Sequence, residues 1–213
     1  MRLWLCVVLC TVACSWSVLA LISNYVRVEY RGVTAAVRKG KAYDARELED
    51  AVHAYGTALR MMPCNTPLLH ERALLLAQQA DNAMAGPEVD AADDALAAAQ
   101  KGIADILSCT PMDGKAWLDF ATITTHREGV SDRALAAFSM SATVSPGESW
   151  LAEKRLLFAL TFRPLLDAQS LAVVRQDMGT LELAHPNRIN AVMKAAKVNS
   201  KEALAALFAA PAS

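Results

Sequence analysis

The chain has 213 residues, 54% of them hydrophobic and only 6% aromatic, with 21 Lys and Arg against 22 Asp and Glu. Near-neutral charge argues against nucleic acid or another polyanion as the partner. That length suits one domain of ordinary size plus an anchor, and the scarcity of period-two alternation argues against a sheet.

No residue from Leu3 to Ile22 is charged (LWLCVVLCTVACSWSVLALI). As a helix this run spans about 30 Å, the thickness of a bilayer's hydrocarbon core. Trp4, Trp16, Tyr25 and Tyr30 stand where interfacial aromatics are expected. A cleaved signal peptide has a passable site at Val18-Leu19-Ala20, and a lipobox before Cys14 fits poorly. An uncleaved single-pass anchor over residues 1–23 fits best, because the run exceeds a usual signal core and lacks a polar end. Arg27, Arg31, Arg38, Lys39 and Lys41 follow the span, which by the positive-inside rule holds the body in the cytoplasm. A span with almost no N-terminal tail has the shape of an export signal instead. The reading adopted is an inner-membrane protein with its soluble part on the periplasmic side.

Of five cysteines, Cys6, Cys10 and Cys14 share one face of the span and read as packing residues or as a helix–helix contact. Cys64 and Cys109 remain for the body. In an oxidising compartment they are available for a disulfide, but the sequence does not supply their separation. No cysteine and histidine spacing suits zinc.

Residues 24–43 read as a juxtamembrane helix or linker. Val26, Tyr30, Val33 and Val37 recur at helical spacing, and the helix is expected to break near Gly40 with its basic residues free for lipid headgroups or water. Asp44 with Glu47 forms a capping box for a helix to about Met62. Pro63 ends it, and Thr66 as cap with Pro67 behind it starts the next, which runs to about Met84. Gly86-Pro87 breaks the chain before an Ala-rich helix beginning at Asp90. Pro111 and Gly114 separate that helix from one holding Trp117, Phe120 and Ala121, which Gly129 ends. Ser131 or Asp132 caps a helix containing Phe138, and another carrying Trp150 and Leu156 stops before Pro164. Residues 164–213 are expected to pack on or cap the preceding helices: Leu165 to Ala184, a short helix opened by Asn187, and a last one capped by Asn199 with Glu202. Ala209 to Ser213 are expected to fray.

One series recurs three times at offsets of four, seven and twelve: Ala51, Tyr55, Ala58, Pro63; then Ala99, Ile103, Ile106, Pro111; then Ala134, Phe138, Ser141, Pro146. Small residues let helices approach within about 8–10 Å, and the bulky ones fill the flanking grooves. A helix pair cannot bury its apolar face alone, so neighbouring pairs stack and share a core.

With Trp117 and Ala121 on a first helix, and Trp150 opening the next, this series resembles the tetratricopeptide repeat over residues 44–163. The central unit carries about one extra residue in its turn. The middle one has an insertion at residues 85–90 and Ile106 where the family has a small residue. The resemblance implies an all-α array of helical hairpins whose concave face binds a protein. More loosely, SCTPMDGKAWLDFA and VSPGESWLAEKRLLFAL resemble small membrane-anchored proteins of alphaproteobacteria, some associated with envelope polysaccharide synthesis.

No catalytic constellation emerges from the sequence. His70-Glu71 begins like a zincin motif, but Leu74 replaces the second histidine. His126-Arg127-Glu128 reads as a solvated turn, and Asp90, Asp93 and Asp94 read as helix-capping acids rather than a cation site. Gly147-Glu148-Ser149 lacks the following glycine of a nucleophile elbow, and no phosphate-binding glycine loop is present. The expectation is therefore a non-enzymatic membrane scaffold for protein partners, without cofactor or metal. If the looser resemblance holds, it serves envelope polysaccharide synthesis or export. A glycan-binding or glycan-processing protein is the alternative, marked by exposed Trp117 or Trp150 beside converging carboxylates. A membrane subunit whose contacts run through the cysteine face of the span is a third.

Overall fold

A computed structural model describes residues 2–41 and 43–209, and the fraying expected beyond Ala209 lies outside them. Among the described residues every regular element is helical: eleven α-helices and one turn of 3-10 helix at Arg163–Leu165. The chain forms two compact units, Met1–Cys109 and Thr110–Ser213.

The first unit contains α1 (Arg2–Glu29), α2 (Arg31–Arg38), α3 (Ala45–Met61), α4 (Thr66–Met84) and α5 (Val89–Cys109). Helix α1 is long and apolar enough to cross a membrane, and Trp4, Leu9, Val12, Trp16 and Leu21 are exposed along it. The segment from Ser23 to Gly40 does more than link. Ser23, Val26, Val33, Thr34 and Val37 form one buried stripe, with α1 against α3 and α2 against α3 and α4. Gly40, at φ +66°, ends α2 in the left-handed region that only glycine enters without cost.

Asp44 caps α3 by accepting from the backbone N–H groups of Arg46 and Glu47. The cap of α4 is Asn65, which accepts from the Leu68 N–H, so Thr66 lies inside the helix and Pro67 in its first turn. The expected Thr66 cap is corrected by one residue. Helix α4 packs against both α3 and α5. A Cβ at Gly102 would stand 2.7 Å from Leu76 Cδ1, so glycine permits that α4–α5 approach. Ile106 is buried in the same interface. The small residue that sequence pattern sought at position 106 is supplied one turn earlier. Leu48, Leu68 and Leu75 are fully buried, each stabilising the unit by about 1.5–3 kcal/mol.

The second unit contains α6 (Gly114–Glu128), α7 (Asp132–Val144), α8 (Ser149–Phe162), α9 (Ala168–Ala184), α10 (Pro186–Ala196) and α11 (Lys201–Leu207). Two hairpins, α6–α7 and α8–α9, lie side by side: α6 meets α8 and α7 meets α9, while α10 rests on α8 and α9. Asp113 caps α6 and Ser131 caps α7. Gly114 is the first residue of α6 rather than a spacer, and a Cβ there would collide with Ser145. His126, Arg127 and Glu128 form the last turn of α6, not a loop, and Gly129 at φ +77° ends it. Helix α9 starts at Ala168, capped by Asp167, because the 3-10 turn takes up Arg163–Leu165. Ser200, not Asn199, caps α11 by accepting from the Ala203 N–H.

Candidate functional site

The repeat positions fall into two groups. Ala51, Tyr55, Ala58, Ala99, Ile103, Ala121, Ala134 and Phe138 are buried, as is Ser141. Pro63, Pro111 and Pro146 are exposed in the turns that follow their helices, and Trp117 and Trp150 are half-buried. The Phe138 ring stacks on Phe158 at 5.2 Å, and Phe158 meets Phe162 at 4.8 Å. Trp117 Nε1 donates to the Pro111 carbonyl at 2.8 Å, whereas Trp150 Nε1 donates to Glu148 Oε2 at 2.6 Å. Each tryptophan thus fastens the turn at its own helix start.

The first unit carries a groove of about 810 Å³. Its floor is the face of α4 bearing Leu69, Arg72 and Gln79. One wall is α3, through Glu49, His53, Gly56, Thr57 and Arg60 at successive helical turns, and the other is Asp105 and Ser108 of α5. Pro63 and the Cys64–Cys109 disulfide stand at one end. In that disulfide the Cα atoms lie 5.4 Å apart, and the bond ties the α3–α4 turn to the last residue of α5. The sequence left this pairing open, because nothing local relates cysteines 45 residues apart.

Arg72 is the chemical centre of the groove. Its Nη1 lies 3.7 Å from Asp105 Oδ2, and Lys101 Nζ, one turn away, lies 3.1 Å from the other carboxylate oxygen. The Arg72 Nε is buried without a hydrogen-bond partner. Gly56 faces it across the groove, where a Cβ would sit 3.5 Å from Nε. A buried donor left without a partner costs about 1–3 kcal/mol.

Behind the groove lies a second polar group. Glu71 Oε1 accepts from Arg38 Nη2 at 2.5 Å, tying α2 to α4, while Glu71 Oε2 and the Tyr55 hydroxyl have no partner. Burial, then the Glu71 charge, pushes the Tyr55 phenol up to about 12, against the pull of Arg27 and Arg38. The residues that the sequence singled out for chemistry do not converge. Glu71 serves the ion pair with Arg38, and Asp90, Asp93 and Asp94 lie in the first turns of α5. Among the described residues no three His, Cys, Asp or Glu side chains are placed to hold a metal ion. The arrangement can bind through hydrogen bonds and charge.

Sequence reasoning missed the groove and the buried pair Arg155–Asp177. The pair had a readable signal, since Arg155 falls on the face of α8 shared by Leu151, Ala152 and Ala159. No family model, curated protein or solved structure matches this chain.

Proposed function

We propose that the protein is a membrane-tethered, non-catalytic scaffold of tetratricopeptide-like hairpins, and that the groove over α4 receives a segment of a protein partner. One observation carries this reading: the helix long enough to span a bilayer packs onto the bundle that bears the groove. A partner seated there is held at a set distance from the membrane. The buried small–aromatic–small positions of α3 and α7, and the paired hairpins of the second unit, support the repeat-like reading. The Cys64–Cys109 disulfide supports a body outside the cytoplasm, since such bonds persist in oxidising compartments. An accessory role in envelope polysaccharide synthesis or export rests on sequence resemblance alone. The glycan-binding alternative has weaker support, because neither Trp117 nor Trp150 lines the groove and Trp150 meets a single carboxylate, Glu148.

The test places a photo-crosslinking residue at Thr57 in native membranes. A discrete adduct that disappears when Gly56→Leu fills the groove supports the reading, provided the variant keeps wild-type helicity. An adduct unchanged by Gly56→Leu sinks it. A reporter fused to the C-terminus, active only outside the cytoplasm, tests the sidedness.

A further inference from the structure

A second cavity, of about 540 Å³, opens where α1 meets the α3–α4 turn. Trp16 and Leu19 of α1 face Met61, the last residue of α3, and Met62 of the turn, with Ser23 and Asn65 at the body end. The stripe by which α1 touches the body begins at the half-buried Leu19, inside the uncharged run, and continues through Ser23 and Val26. Asn65 Nδ2 donates to Ser23 Oγ at 3.2 Å and fixes the turn at that depth. From Trp16 to Ile22, the last apolar residue before the polar Ser23 and Asn24, the helix rises about 9 Å. If the run fills the hydrocarbon core, Met61 and Met62 lie below the level at which the core ends. Met61 is 46% exposed and Trp16 75%, an arrangement suited to lipid as solvent.

We infer that this cavity is a phospholipid slot: the α3–α4 turn dips into the bilayer, and an acyl chain lies between Trp16, Leu19, Met61 and Met62. The slot is amphipathic along its length. Its deep end offers indole and thioether surface, and its upper end offers the exposed Asn24 amide to the ester and glycerol oxygens. Unbranched methionine adapts to an acyl chain, which has no fixed shape. The turn is then a second membrane contact beside the span. It orients the first unit on the surface instead of leaving it on a free tether. The inference rests on the reading of α1 as a membrane span.

The test uses the full chain reconstituted in phosphatidylcholine vesicles containing a phospholipid with a photoreactive group midway along one acyl chain. A parallel preparation carries the group on the headgroup. After illumination, reduction and tryptic digestion, three peptides are compared: 3–27 from α1, 61–72 from the turn, and 134–154 from α7 and α8 as a control. The expected result is acyl-chain labelling of 3–27 and 61–72 but not of 134–154. Met61→Glu, at an exposed position, is expected to lose the 61–72 label and keep that of 3–27. Labelling of 3–27 without 61–72, or labelling of 61–72 by the headgroup probe alone, overturns the slot while sparing the span. No labelling of 3–27 overturns the span and the slot together.

Discussion

Arg155 and Asp177 form a fully buried, two-pronged ion pair between α8 and α9: Nε donates to Oδ2 at 2.7 Å and Nη2 to Oδ1 at 2.6 Å. Their side chains are 0% and 2% exposed. The remaining guanidinium nitrogen, Nη1, donates to Ser141 at the carbonyl (3.3 Å) and hydroxyl (3.4 Å), which brings α7 into the same network. Burial pushes the Asp177 carboxyl up, and the Arg155 hydrogen bonds and charge pull it back. Such a pair adds little net stability over apolar packing, but losing one member strands a charge. Asp177→Ala is therefore expected to cost about 3–5 kcal/mol. The double change Arg155→Met, Asp177→Leu should lie much closer to wild type. Denaturant unfolding in detergent, followed by circular dichroism, checks both; a double variant as damaged as the single one would refute this assignment.

The Cys64–Cys109 bond leaves Cys6, Cys10 and Cys14 as the free thiols. Thiol titration of the denatured, unreduced protein should count three groups, rising to five after reduction. Closing a loop of this length restricts the unfolded chain by about 4 kcal/mol in the chain-entropy description. Cys64→Ser and Cys109→Ser should each lower the melting temperature, and combining them should add little further. A count of five before reduction would remove the bond, and with it the structural support for an exported body.

Packing at Gly102 gives a third expectation. Its absent side chain leaves room for Leu76, while Ala73 would meet an added Cβ only at ordinary contact distance. Gly102→Val forces a branched side chain into a buried interface and should cost about 1–3 kcal/mol, despite glycine's poor helix propensity. Thermal melts of the variant against wild type decide the sign, and an unchanged or higher melting temperature would show that Leu76 yields freely.

How far the sequence reveals this architecture depends on whether a signal is local. Pro63, Gly86-Pro87, Gly129 and Pro164 break helices by their own backbone chemistry, so most boundaries fall within a few residues of the expected ones. Caps were harder: Asn65 and Ser200 each neighbour another capping residue, and only backbone geometry selects between them. Gly102 lies in the apolar stripe of Ala99, Ile103 and Ile106, and Asp177 in that of Val174, Met178 and Leu181. A small or charged residue within an apolar stripe was the available clue to both. The groove had no such clue. Its walls are polar residues of α3, α4 and α5 that resemble any solvated face until the helices are brought together.

Tyr55 supplies a pH-dependent expectation. Its hydroxyl is buried without a partner, and its phenol is pushed up to about 12 from an ordinary value of 10.0. Because the folded value is raised, the neutral form is favoured in the folded state. The stability this confers is complete below about pH 10 and is lost as pH rises through about 12. Ultraviolet titration should therefore show a late phenol that is lost in Tyr55→Phe. The same substitution removes an unpartnered buried hydroxyl while keeping the ring 6.3 Å from Tyr30, so it should leave the melting temperature unchanged or raise it. Tyr55→Ala, which also empties the ring's volume, should cost about 3–5 kcal/mol, as large aromatic truncations do. A Tyr55→Phe variant as unstable as Tyr55→Ala would mean that the hydroxyl has a structural partner, and that the polar pocket beside Glu71 is fully satisfied.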